Sequence, residues 1–103
     1  MARTLHQFVD RGATFESFIS ISDDTVDLTT YDEVRGKMKK HYDASNSVSM
    51  VCAARDSSTL RLYMDAETTA LLDAEHYVYD VELVTGDTVI RVVQGLVYVI
   101  PSV

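Results

Sequence analysis

His76-Tyr77-Val78-Tyr79-Asp80-Val81-Glu82-Leu83, then Thr85-Gly86-Asp87, then Val89-Ile90-Arg91-Val92-Val93-Gln94-Gly95-Leu96-Val97-Tyr98-Val99-Ile100 read as a strand, a tight turn and a longer returning strand. β-branched and aromatic residues dominate both arms, as a pleated and half-buried surface requires. The first arm alternates cleanly. Tyr77, Tyr79, Val81 and Leu83 share one face, and Asp80 and Glu82 the other. The returning strand is apolar on both faces: Val89, Val93, Val97 and Val99 on one, Ile90, Val92, Leu96, Tyr98 and Ile100 on the other. A layered β protein gives each strand only one face to bury. Either Gly95 marks a bulge that swaps the faces midway, or another chain covers the surplus face.

Working back from the hairpin, the same alternation recurs. Ala13 to Ser22 reads as a strand with Ala13, Phe15, Ile19 and Ile21 inward and Phe18 out of phase on the polar face. Glu33 to His41 is a second strand, with Val34, Gly36 and Met38 inward and Arg35, Lys37, Lys39 and His41 forming an outward charged row. Val48–Ala54 and Thr59–Met64 are two more, burying Val48, Met50 and Cys52, then Leu60, Leu62 and Met64. The run Asp65 to Asp73 breaks the alternation; Asp65 is placed to cap a single helical turn. Val26, Leu28 and Tyr31 are expected to pin the acidic connection 23–32 to the core. Residues 1–12, ended by Gly12, are expected to form a short arm outside a single domain spanning residues 13–103. The expected fold is all-β: an immunoglobulin-like sandwich of about six to seven antiparallel strands with one short helical turn.

The chain has 103 residues, 47% of them hydrophobic, enough for one core without a disulfide or metal. The single cysteine, Cys52, reads as a small core residue. No apolar run approaches a membrane span and Met1 to His6 carry no signal-peptide core, so synthesis in the cytoplasm without export by that route is expected. A net charge of −7, from 16 acidic and 9 basic residues, argues against a nucleic-acid partner.

Little in the residues suggests catalysis. His6, His41 and His76 have no ligand spacing, and the four glycines stand singly with no phosphate-binding loop. Asp80 and Glu82 sit on an outward face with no apolar pocket to separate their roles. Asp23, Asp24, Asp27 and Asp32 supply oxygens for calcium but lack the spacing and glycine of an EF-hand loop. No enzyme, cofactor or metal site is expected. The row Arg35, Lys37 and Lys39 reads as a solvated face, as blunting of an edge strand, or as a dock for an acidic surface, including other copies of the chain. With it, Ile90, Leu96 and Tyr98 of the last strand are the candidate interface residues.

The order of the pieces resembles a family of small structural proteins of tailed phages. It is similar to the immunoglobulin-like N-terminal domain of phage baseplate upper proteins and to related cyanophage virion proteins. The residues that carry the resemblance are Arg11-Gly12-Ala13-Thr14-Phe15, Val26-Asp27-Leu28-Thr29-Thr30-Tyr31 and Lys39-Lys40-His41-Tyr42-Asp43-Ala44-Ser45. They continue with Leu60-Arg61-Leu62-Tyr63-Met64, Glu67-Thr68-Thr69-Ala70-Leu71, Tyr77 to Leu83, and Thr88 to Val97. Glycines usual in the family are replaced at Asp24-Thr25 and at Thr30. The resemblance implies a virion component in the tail, baseplate, neck or capsid decoration. Its partners would be other virion proteins and copies of itself, with no catalytic residues. The alternative is a module recognising a host-surface glycan, with Tyr63 and Phe18 as stacking platforms.

Overall fold

The computed structural model describes residues 3–21, 27–41 and 47–101. Asp23, Asp24 and Val26 of the acidic connection and most of the polar loop before the third expected strand lie outside the described residues.

The fold is all-β. Its strands are β1 (Arg3–Thr4), β2 (Gln7–Asp10), β3 (Phe15–Ser20), β4 (Glu33–Lys39), β5 (Val48–Ala54), β6 (Thr59–Met64), β7 (His76–Thr85) and β8 (Thr88–Ile100). A 3-10 turn at Leu28–Thr30 and a single-turn helix α1 (Ala66–Ala70) complete the elements. The strands follow one path, β1-β8-β7-β4-β5-β6-β3, with β2 also on β8. β5 makes the path continuous. Its first half pairs with β4 through Met50, and its second half, Val51 to Ala54, pairs with β6. The sheet therefore curls over on itself, and the core lies in the concavity.

Period-two alternation puts the expected side chains there. Tyr77, Tyr79, Val81 and Leu83 from β7, Leu60, Leu62 and Met64 from β6, Met38 and Met50 from β4 and β5, and Phe15 and Ile19 from β3 are all buried. Phe18, out of phase in the sequence, is exposed. Leu28 is buried by the 3-10 turn and Leu72 by the segment after α1.

Two expectations are corrected. The described part of the expected arm, residues 3–12, does not stand apart: β1 and β2 run parallel to β8, and Val9 is fully buried in the core. The sheet is therefore mixed rather than purely antiparallel. The bulge in the hairpin lies at Val92, not Gly95. Val81 faces Val93 and the next residue, Glu82, faces Arg91, leaving Val92 without an opposite residue. This extra residue swaps the faces of β8. Ile90 points inward before it, Val93, Val97 and Val99 point inward after it, and Leu96, Tyr98 and Ile100 are turned outward.

Gly95 has another task. Regular parallel pairing would send the Leu96 N–H to the Leu5 carbonyl, since the Leu5 N–H already donates to Gln94 O at 2.9 Å. Instead the Leu5 carbonyl accepts from the Tyr79 hydroxyl. The stranded Leu96 N–H donates to His6 Nδ1 at 3.0 Å. Gly95 lies directly opposite Tyr79, and a Cβ there would collide with the Leu5 carbonyl. The missing side chain lets the N-terminal segment sit tightly on β8 while the phenol reaches it from β7.

The loops are tied by aspartates. Asp65 accepts from Thr68 N at 2.8 Å and caps α1, as expected. Asp27 accepts from Thr29 N at 3.0 Å and its hydroxyl at 2.6 Å, and Asp56 from Ser58 N at 3.0 Å. Hydrogen bonds from Thr29, Ser58 and Thr68 hold these carboxyls below their ordinary range, and Lys40 does the same for Asp73. Such groups bind protons more weakly folded than unfolded. Their contribution is complete above the unfolded carboxylate range and is lost as pH falls through the lower folded values. The thermal midpoint should therefore drop progressively below about pH 4. A midpoint that is flat or rising from about pH 5 to about pH 3 would contradict this.

Candidate interaction surface

The convex face of β4, β7, β8 and β2 carries the exposed chemistry. Cross-strand partners share a face, so the register lays out its rows. Arg35 faces Glu82, Lys37 faces Asp80, and Lys39 faces Val78. Across β7, Val78 faces Leu96 and His76 faces Tyr98; across β8, Tyr98 faces Phe8. The surface is charged at one end and aromatic at the other.

At the charged end the basic row is answered within the chain. Arg35 lies 3.8 Å from Glu82, and Arg91 lies 3.3 Å from Asp80. A shallow groove of about 450 Å³ runs here, lined by Lys37, Lys39, Val78, Asp80, Glu82 and Arg91. Burial pushes the Asp80 carboxyl above its ordinary value. The neighbouring Glu82 adds to this, while Arg91, Lys37 and Lys39 oppose it. One of the sequence readings of this row falls. β4 lies between β7 and β5, so Arg35, Lys37 and Lys39 blunt no edge. A dock for an acidic surface would have to compete with carboxylates one strand away.

At the aromatic end Phe8 and Tyr98 stack, with ring centroids 5.4 Å apart and planes 21° from parallel. His6 meets Tyr98 edge-on at 6.0 Å. Phe8 is 65% exposed, and Ile100 and Tyr98 are exposed beside it. Of the expected interface residues, the fold gathers Leu96, Tyr98, Arg35, Lys37 and Lys39 on one face. Ile90 is not among them: it is half-buried against the core, because it precedes the bulge. Phe8 and His6 were missed. Only four residues of β2 alternate, and their partner strand lies at the far end of the chain.

The other convex face holds Phe18 and Tyr63, the expected glycan platforms. Each ring is covered. The Arg55 guanidinium lies 4.8 Å from the Phe18 ring centroid, and the Arg61 guanidinium 4.7 Å from that of Tyr63. Arg61 is also bound to Glu16 at 2.7 Å. A sugar would have to displace a guanidinium to stack.

Among the described residues no three His, Cys, Asp or Glu side chains are grouped to hold a metal. Asp27 and Asp32 of the acidic connection are engaged elsewhere, the latter accepting from Gly86 N at 3.0 Å. Cys52 is half-buried against Gly36, and burial pushes its thiol up to about 12. Among the described residues no helix is long and apolar enough to cross a membrane.

No protein-family model and no curated protein matches the chain. A solved structure of InlP from Listeria monocytogenes is similar in fold, with a TM-score of 0.54 and 14% identity. The likeness covers 96% of this chain and 28% of that one, so the chain spans a little over a quarter of that protein's length. Identity at this level speaks for the fold alone.

Proposed function

We propose that the chain is an immunoglobulin-like structural component of a tailed-phage particle, docking onto a larger virion protein through the convex face of β2 and β8. The observation that carries the docking surface is the exposed Phe8–Tyr98 stack, flanked by Leu96 and Ile100. Aromatic surface left in water at the rim of a charged face is the usual make-up of an interface core. The phage setting rests on the ordered sequence resemblance from Arg11 to Val97.

Two features support the immunoglobulin-like reading. The N-terminal strands run parallel to the last strand, and the curled path divides at β5, with β8, β7 and β4 before it and β6 and β3 after it. Tyr77, at the start of β7, is buried. Its hydroxyl accepts from Asp73 N at 3.0 Å and lies 3.1 Å from Asp73 Oδ1. This is the arrangement of a tyrosine corner.

The direct test is to locate the chain in an electron-microscopy map of the intact particle. It should be found with Phe8 and Tyr98 against a neighbour. Particles that lack the chain, or hold it with that face in solvent, would end the proposal. A variant carrying Phe8→Ser and Tyr98→Ser should still fold and melt cooperatively, at a somewhat lower midpoint, and fail to join particles. A glycan array should show no reproducible binding; a single preferred sugar would favour the recognition module instead.

A further inference from the structure

The path of strands ends at β3, which has a neighbour, β6, on one side only. Its sequence, Phe15-Glu16-Ser17-Phe18-Ile19-Ser20, contains no proline, lysine or glycine, and its ladder with β6 runs without a bulge. Prolines, lysines and bulges ordinarily protect an edge; β3 has only the charge of Glu16, which is paired with Arg61 at 2.7 Å. The opposite edge of the sheet is different: β1 and β2 are separated at Leu5 and His6, where the backbone turns toward Tyr79.

The phase of the β3 ladder follows from one bond. Ile21 N donates to Ser58 O at 2.7 Å, continuing the register in which Ser20 faces Thr59. In an antiparallel pair, alternate residues turn their backbone groups to the partner. Phe15, Ser17 and Ile19 therefore bond β6, and Glu16, Phe18 and Ser20 present their N–H and C=O groups to the open side. Ser20 is partly served: its carbonyl accepts from Arg3 Nη1 at 2.9 Å. Among the described residues nothing bonds the edge groups of Glu16 and Phe18.

We propose that this edge pairs with the same edge of a second copy, antiparallel, about a two-fold axis at Ser17. In that register Glu16 of each copy lies opposite Phe18 of the other, and each such pair exchanges both backbone bonds. Ser20 remains outside the pairing, with its Arg3 contact intact. Charge favours this occupant. Arg55 stands over Phe18 with no carboxylate in ion-pair range among the described residues. The incoming Glu16, one of whose oxygens is bound to its own Arg61 at 2.7 Å, sits beside that ring with its other oxygen toward the guanidinium, and the symmetry repeats the contact. The two outer faces merge into one continuous sheet. This surface lies on the opposite layer from the Phe8–Tyr98 face, so the inference stands independently of the proposed docking role.

The test is sedimentation velocity over a concentration series, with cysteine cross-linking. The wild-type chain should be a dimer in equilibrium with monomer, and the dimer should weaken in salt. Ser17 faces its own copy across the axis in a pair whose Cα atoms are about 4.5 Å apart, within disulfide reach. Under mild oxidation Ser17→Cys should be trapped as a disulfide dimer; Glu16→Cys, displaced from its symmetry mate, should not. Phe18→Pro removes an edge donor without touching the β6 ladder and should raise the dimer Kd at least about tenfold. Arg55→Glu should weaken the dimer, and combining it with Glu16→Arg and Arg61→Glu, which inverts the Glu16–Arg61 pair as well, should restore it. If the proline variant does not melt cooperatively, the cysteine and charge-swap variants decide. A wild-type monomer at every concentration would overturn the proposal. So would a Ser17→Cys chain no more cross-linked than wild type, or a dimer indifferent to Arg55→Glu.

Discussion

Replacing Tyr79 by alanine should destabilise the domain by about 3–5 kcal/mol, the cost of emptying a large aromatic site in a packed core. Tyr79 is 2% exposed and is flanked by Tyr77 and Val81, which are also buried. Its ring lies opposite Gly95, and its hydroxyl closes onto the Leu5 carbonyl, so one side chain joins β7, β8 and the segment between β1 and β2. Burial pushes the phenol's pKa up, so it stays a donor at all ordinary pH. Tyr79→Phe separates the two contributions. It keeps the ring and strands a buried carbonyl, so about 1–3 kcal/mol should be lost. The smaller loss should be local: hydrogen exchange should quicken along Arg3–Asp10 more than in β6. Chemical denaturation measures both totals. An alanine effect below about 1 kcal/mol would mean that Tyr79 is not the core residue described.

This contact also shows why the N-terminal segment was illegible in the sequence. Alternation revealed β3 to β7 and their inward sides, and β8 as a strand. β2 offers only Gln7-Phe8-Val9-Asp10, and its pairing depends on Val97 to Ile100, some ninety positions away. No local pattern announces a parallel partner that remote. Apolar residues on both faces of β8 pointed either to a bulge at Gly95 or to a covering chain; a bulge is present, but not at the glycine. Val92, which takes it, is an ordinary β-former, and only the register with Val81 and Glu82 exposes it.

The candidate site was half legible for a related reason. Leu96 and Tyr98 stood out as surplus apolar residues, and they are outward. The charged row on β4 and the carboxylates on β7 were both read as outward, but as separate features. Strand order, which sequence periodicity does not encode, sets Arg35 beside Glu82 and Lys37 beside Asp80. Adjacency turned a free basic surface into a largely self-neutralised one. The better candidate then became the aromatic end, half of which comes from the segment the sequence concealed.

Gly95→Ala is the second substitution with a large expected effect, although it adds a single methyl. The collision is with the Leu5 carbonyl and, next, with the His6 ring. A backbone group cannot rotate away as a side-chain tip can, so β1 and β2 must lift from β8. A loss of about 1–3 kcal/mol follows, with valine worse than alanine. Lifting that segment breaks the Tyr79 hydrogen bond, the His6 contact to Leu96 and the Phe8–Tyr98 stack together. Gly95→Ala and Tyr79→Phe thus act on the same joint. Their combined cost should fall short of the sum by at least about 0.5 kcal/mol in a double-mutant cycle. The joint also governs the proposed docking face, since Phe8 holds its position only while β2 stays paired. Gly95→Ala should therefore abolish particle incorporation even at temperatures where the β3–β6 layer remains folded. Full additivity, with Phe8 unmoved in a structure of the variant, would show that the N-terminal segment is held by something other than this contact.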